Sequence, residues 1–147
     1  MKKPLPPTYF LGAIVVAVAL HFLVPVWQVF LFPWRLIGIG PLLIGIVLNL
    51  IADQSFKKRN TTVKPFEESS ELVTGGVFGV TRNPMYLGMT LILLGIALLL
   101  GSATPLVVVI VLAVLFDRAF IAPEEKILEQ TFGDQFREYR ERVRKWI

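Results

Sequence analysis

Cysteine is absent from the 147 residues, histidine occurs once, and charged residues make up only 18% of the chain. The first absence excludes disulfides, thiolate metal sites, a cysteine nucleophile and a lipid anchor on cysteine. The second argues against a Ser-His-Asp triad or a multi-histidine metal site, because His21 has no second imidazole to work with. The scarcity of charge, beside 54% hydrophobic residues, departs from the composition of a soluble domain, which is about 25% charged. Lipid is the expected solvent of most of the chain.

What charge there is falls in blocks. Asp, Glu, Lys and Arg are missing altogether from residues 4–34, 36–52 and 83–116. A spanning helix takes about 20 apolar residues, so the last run, 34 residues long, has room for two. Four spans are predicted, at about 9–24, 36–53, 84–100 and 106–121. They leave no room for a soluble domain, so residues 1–147 are expected to form one all-α membrane bundle with amphipathic helices over about 123–146.

With both termini inside, fourteen of the fifteen Lys and Arg residues lie on one side and only Arg35 lies opposite. The positive-inside rule then places both termini and that face in the cytoplasm. A nucleic-acid partner is not expected, because the basic residues are interleaved with the eleven acids and sit where anionic lipid attracts them. Lys2, Lys3, an apolar run and Ala17-Val18-Ala19 imitate a cleavable leader. The run continues through Leu20, Phe22, Leu23 and Val24, so a retained first span is expected instead.

Along the chain, Trp27, Phe30, Phe32 and Trp34 form an interfacial aromatic loop between the first two spans. Gly38, Gly40, Gly45 and Pro41 suit close helix contact or a kink in the second span, and Asn49 and Asp53 share a face near its inner end. A basic stop at Lys57-Lys58-Arg59-Asn60 and a mixed-charge loop over 64–71 follow. Residues 72–81 are apolar and Gly-rich but too short to span, which predicts a re-entrant or interfacial segment that is covered by protein or lines a cavity. Pro84 suits the first turn of span three, and residues 101–105 make a tight turn that folds spans three and four into a hairpin.

Pro123, Glu124 and Glu125 read as the opening turn of a new helix, with a proline and two acids at its positive end. Gly133-Asp134 interrupts that helix. Leu128, Phe132, Phe136, Tyr139, Val143 and Trp146 recur at spacings of 4, 4, 3, 4 and 3, one apolar helical stripe. Such a helix lies on the inner membrane surface or folds over the bundle.

The hairpin brings Arg82 together with Asp117, Arg118, Glu124 and Glu125 at the inner boundary, where unpaired charge is costly. Taken alone, these residues are either a buried polar site or basic side chains snorkelling at helix ends. Likewise Phe78 and Tyr86 are either ligand contacts or interface anchors, and Glu124 and Glu125 either bind a ligand or complement a helix dipole.

Leu72-Val73-Thr74-Gly75-Gly76-Val77-Phe78, then Thr81-Arg82-Asn83-Pro84-Met85-Tyr86-Leu87-Gly88, then Glu124-Glu125 and Phe132-Gly133 through Tyr139 and Val143 closely resemble the isoprenylcysteine carboxyl methyltransferase and phospholipid methyltransferase superfamily. The resemblance covers about residues 60–147, in order and spacing. It implies S-adenosylmethionine bound at the cytosolic helix ends and a lipophilic acceptor, a lipid or small molecule, entering from the bilayer. It implicates Leu72, Val73, Phe78, Asn83, Pro84, Met85, Tyr86, Glu124 and Glu125 in cofactor binding. No metal is implied.

The chain departs from that superfamily in two places. Asn83 stands where the carboxyl-methylating branch commonly has histidine, which leaves the branch open. Phe120 stands where the prenylcysteine enzyme has a substrate-binding arginine. Arg118 lies two residues earlier, about 200° around a helix, and replaces it only if the backbone there differs. Methyl transfer needs proximity, alignment and desolvation more than acid–base groups. A carboxylate acceptor then asks for a cation, expected to be Arg82 or Arg118, and an amine acceptor asks for a base, expected to be Glu125. Rival readings are a non-catalytic scaffold, a small transport subunit, or a relative of membrane sterol reductases. A transporter is expected to carry polar groups at the midplane of several spans, and this chain carries almost none.

Overall fold

A computed structural model describes residues 5–58 and 71–147. The expected basic stop at Arg59-Asn60 and most of the mixed-charge loop over 64–71 lie outside the described residues. Among the described residues six α-helices account for the architecture: α1 (Pro6–Leu23), α2 (Ile39–Lys58), α3 (Pro84–Leu100), α4 (Ala103–Phe116), α5 (Ala122–Phe132) and α6 (Asp134–Arg142). A 3-10 turn, Trp34–Gly38, feeds α2, and a second one, Gly76–Gly79, precedes α3. The fold is all-helical among the described residues, apart from one isolated bridge between Gln28 and Ser102.

Among the described residues three stretches are long and apolar enough to cross a membrane: Pro6–Leu23 of 18 residues, Trp34–Lys57 of 24 and Ala103–Phe132 of 30. Pro84–Leu100 is apolar throughout and has 17 residues. Leu11, Val15, Val16, Ile44, Val47, Ile110 and Val111 are exposed, as helix faces turned to lipid require.

The tightest packing joins α2 and α3 as antiparallel neighbours. Gly45 faces Gly88 and Gly38 faces Gly95, so close that a Cβ built on Gly95 would stand 2.6 Å from the carbonyl oxygen of Gly38. Without a hydrophobic drive between helices in lipid, such backbone proximity is what gives van der Waals attraction its strength. Gly40, the third glycine expected to pack, has no neighbour within 4 Å. Asn49 folds its amide back onto the Gly45 carbonyl at 3.0 Å and fills the edge of the same contact.

At the opposite end from the polar cluster, Gly101 turns α3 into α4 with φ +83, a conformation glycine adopts without a Cβ penalty. Its carbonyl accepts the N–H groups of Val29 and Phe30, which ties the aromatic loop to the hairpin. His21 of α1 is hydrogen-bonded to Ser102 at 2.8 Å, so the lone histidine works as an interhelical tie.

Pro123 stands in the first turn of α5 with Glu124 and Glu125, as expected, but no loop parts α5 from α4, and the chain stays helical from Ala103 to Phe132 through a π turn, Asp117–Ile121. Within it the N–H of Ala122 reaches back five residues to the Asp117 carbonyl. The wider turn admits a proline, which has no N–H to offer and crowds the carbonyl four residues earlier. Contrary to expectation, the tail is not helical to 146. Helix α6 ends at Arg142, and Val143 is extended at φ −122 and ψ 130. The apolar stripe is thus shared by two helices, joined at Gly133 with φ +54, and an extended end.

Candidate functional site

Each of α1 to α6 contributes to one end of the bundle. The start of α1 reaches it through Tyr9, whose ring meets Phe120 edge-on at 5.4 Å. The end of α2 reaches it through Ala52 and Phe56, which pack with Val73, Phe78, Val77 and Met85. Helix α3 starts there, and the π turn delivers α5.

Tyr86, one turn into α3, donates a 2.7 Å hydrogen bond to Oε1 of Glu124. Its ring is buried and lies edge-on to Phe116 at 5.1 Å, with Phe120 at 6.3 Å. A half-buried carboxyl group is therefore held by a phenol inside an aromatic wall. Such an oxygen suits a cation, an ammonium group or a sugar diol.

Beside this pair stands a second one with a different character. Nε of Arg82 donates to Oε1 of Glu125 at 2.9 Å, and Nη2 lies at the same distance from that oxygen. Nη1 donates to the carbonyls of Arg140 at 3.0 Å and Val143 at 2.5 Å. The two side chains are only 9% and 15% exposed, so a desolvated ion pair is satisfied by backbone as well. Arg82 and Glu125 fasten the α5–α6 segment to the start of α3.

Segment 72–81 is covered only in part, since Val73, Phe78 and Thr81 are buried while Thr74, Gly75, Gly76, Gly79 and Val80 are exposed, and α6 supplies part of the cover. Tyr139 donates to the Phe78 carbonyl at 2.6 Å, while Leu72 packs against Phe136, Tyr139 and Val143. Burial pushes the Tyr139 hydroxyl up to about 12. Asn83 and Pro84 occupy the α3 N-terminus, and the Asn83 amide is turned toward the Lys145 carbonyl at 3.1 Å.

The residues Leu72, Val73, Phe78, Asn83, Pro84, Met85, Tyr86, Glu124 and Glu125 thus lie at one end of the bundle, around the start of α3. Arg118 is not brought into the group. Its side chain is 83% exposed and its ion-pair partner is the adjacent Asp117 at 3.9 Å. The backbone does differ there, but the π turn leaves buried Phe120 facing the site and Arg118 facing outward.

Sequence reasoning missed Tyr9, Thr81 and the segment 143–146. The signal for Thr81 was present as a polar Thr-Arg-Asn triplet directly before a helix-starting proline. The 3-4 spacing of Val143 and Trp146 continued the helical stripe and hid the extended end.

The pattern of the phospholipid methyltransferase family matches residues 34–135. An uncharacterized protein of Haemophilus influenzae is 41% identical over 63 residues, which are 43% of this chain and all of that one. Protein-S-isoprenylcysteine O-methyltransferase of Schizosaccharomyces pombe is 37% identical over 73 residues, 49% of this chain and 30% of that enzyme. The solved eukaryotic intramembrane Ras methyltransferase, isoprenylcysteine carboxyl methyltransferase, shares the fold with a TM-score of 0.68 at 22% identity. That match covers 96% of this chain and 51% of the solved one, so this chain spans about half or less of both named enzymes. The chain belongs to the phospholipid methyltransferase family, as an integral membrane member built on the fold of isoprenylcysteine carboxyl methyltransferase.

Proposed function

We propose that the chain is a membrane methyltransferase that draws S-adenosylmethionine from the cytoplasm and a lipophilic acceptor from the bilayer. The observation that carries this is the Tyr86–Glu124 hydrogen bond of 2.7 Å inside an aromatic wall, on residues the family resemblance implicates. In this reading α1 to α4 are four spans, since the 17 residues of α3 rise about 26 Å, close to the hydrocarbon thickness. Residues 1–147 act as one domain, with both termini and the site on the cytoplasmic side, as fourteen of fifteen basic residues favour.

The residues present fit such a cofactor. The Glu124 carboxylate takes its ribose hydroxyls or ammonium group by charge-assisted hydrogen bonds. Phe78, Met85 and Val73 offer an apolar wall for an adenine ring, backed edge-on by Phe56 at 5.2 Å. The cofactor, when bound, supplies a methyl group carried on a positively charged sulfur. The chain's own part is to orient and to dry the site. Tyr86 fixes the Glu124 carboxylate, Phe116 and Phe120 exclude water, and the Arg82–Glu125 pair holds the cover formed by α5 and α6.

The acceptor is read as an amine of a phospholipid-like molecule more readily than as a carboxylate of an isoprenylcysteine-like one. A carboxylate needs a cation, and Arg82 spends its donors on Glu125 and two carbonyls while Arg118 faces outward. An amine instead benefits from the aromatic faces of Tyr86 and Phe120 and from acidic side chains nearby. Calorimetry with S-adenosylhomocysteine on detergent-purified protein tests the cofactor site, with Glu124→Ala and Tyr86→Ala as controls. Binding by the wild type and loss in both variants is expected, and a wild type that binds nothing sinks the reading. Labelled methyl transfer into amine-headgroup lipids, compared with prenylcysteine analogues, decides the acceptor.

A further inference from the structure

At the end of the bundle opposite the candidate site, Arg35 is a cation without an acid. Residues 4–34, 36–52 and 83–116, which build that end, contain no Asp or Glu. Its guanidinium group lies instead over the ring of Phe32, with the central carbon 5.9 Å from the centroid. A charge left uncompensated at a membrane boundary calls for an anion from outside the chain.

Beside Arg35 the loop between α1 and α2 shapes a groove of about 300 Å³, lined by Gln28, Val29, Phe30, Leu31, Trp34 and Ile37. The groove is fixed in place by backbone. Val29 and Phe30 donate their N–H groups to the Gly101 carbonyl at 2.8 and 3.0 Å, and the Val26 and Trp27 carbonyls accept the Ala103 N–H. Gln28 is bridged to Ser102. Trp34 and Ile37 belong to the 3-10 turn that also carries Arg35, and at 74% and 63% exposed they leave an apolar wall open to a ligand.

Depth identifies that ligand. The apolar stretch Trp34–Lys57 has 24 residues, which rise about 36 Å, slightly more than the roughly 30 Å of hydrocarbon. Arg35 near one end and Lys57 at the other therefore both stand at headgroup level, where lipid phosphates lie. An apolar groove next to an arginine at that depth matches an acyl chain joined to a phosphate, which a guanidinium group takes with two parallel hydrogen bonds.

We propose that the groove and Arg35 form a binding site for one phospholipid, with part of an acyl chain along Leu31, Trp34 and Ile37 and the phosphate on Arg35. The inference rests on the four-span reading above and not on the cofactor site. About 22 Å of α3 separates Tyr86 from Gly101, so this lipid sits in the opposite leaflet and is not the methyl acceptor. It fills the open side of the loop that Gly101 and Ser102 tie down.

The test is quenching of tryptophan fluorescence by phosphatidylglycerol brominated on its acyl chains, titrated into the full chain in lipid-free detergent. Saturable quenching is expected, and Trp34→Phe is expected to remove most of it. Arg35→Gln is expected to raise the half-saturating lipid concentration about fivefold or more, the effect of one basic residue on an anionic lipid. Diacylglycerol with the same brominated chains but no phosphate is expected to bind the wild type more weakly by a similar factor. Quenching that rises in proportion to lipid without saturating comes from bulk lipid only and overturns the site. Saturable quenching that survives Trp34→Phe undiminished places the lipid elsewhere and overturns it as well. Equal affinity for the diacylglycerol leaves Arg35 without a role, and displacement of the brominated lipid by inorganic phosphate assigns Arg35 to a free anion; each overturns the phospholipid. Should Arg35→Gln fail to fold, the comparison of the two brominated lipids on the wild type decides alone. Failure here leaves the cofactor reading untouched, because the two sites share no residue.

Discussion

Tyr86 and Glu124, 38 positions apart in the chain, are joined side chain to side chain at 2.7 Å across the junction of α3 and α5. Glu124 reaches Tyr86 from the first turn of α5, directly after the π turn Asp117–Ile121. A carboxylate oxygen that accepts from a phenol keeps its remaining acceptor capacity for a ligand.

Glu124→Gln keeps the shape of this group and removes its charge. A hydrogen bond to a charged group contributes about 1.5–3 kcal/mol, so affinity for S-adenosylhomocysteine is expected to fall about ten- to hundredfold. Tyr86→Phe leaves the carboxylate in place without its tether and is expected to cost about tenfold or less. Isothermal titration of both variants checks the order, and a larger loss in Tyr86→Phe than in Glu124→Gln contradicts it.

Arg82→Met breaks a desolvated ion pair and strands two carbonyls. Removing one partner of a buried pair costs about 3–5 kcal/mol, and a large fall in thermal midpoint in detergent is expected. Adding Glu125→Leu to that variant removes the stranded carboxylate and is expected to recover part of the loss. Recovery of nothing indicates that the carbonyls of Arg140 and Val143, not Glu125, are the partners that matter.

Gly45→Leu and Gly88→Leu each force a side chain between two backbones in contact. A Cβ on Gly45 would already stand 2.5 Å from the Gly88 carbonyl oxygen. Overpacking of this kind costs about 1–3 kcal/mol or more, because backbone cannot move aside as a side chain does. Gly40→Leu on the same helix has open space and serves as the control. Thermal unfolding in detergent separates the two classes.

Much of this was legible in the sequence for a simple reason: lipid forbids charge, so the charge-free runs mark the helices. Helix α3 runs from Pro84 to Leu100, the bounds the proline and Gly101 imply, and the hairpin with α4 follows. The glycines over 38–45 announce close contact, although composition does not distinguish Gly38 and Gly45 from the open Gly40. The π turn left no such mark. Pro123 with two acids reads as a helix start, and α5 does start there, but the 5-residue reach of the Ala122 N–H that keeps it continuous with α4 could not be read. The expected hairpin brings Arg82 to Glu125, but its backbone partners, the carbonyls of Arg140 and Val143, left no mark in the sequence.

Tyr139 predicts a pH dependence confined to alkaline solution. Burial raises its hydroxyl from 10.0 to about 12, so the folded chain holds that proton more tightly than the unfolded one. Its contribution to stability is therefore whole below about pH 10 and is lost as the pH rises from there toward 12. Denaturation midpoints measured from pH 8 to 12 are expected to fall over that window in the wild type. The fall should be shallower in Tyr139→Phe, which also loses the 2.6 Å bond to Phe78.

Thr81, Arg82 and Asn83 grip the end of the chain by its peptide oxygens, which every residue type carries. The side chain at 144 can thus change without loosening this grip, whereas Val143 and Arg140 are held a second time through their side chains, by the Phe136–Tyr139 cluster and by Glu129.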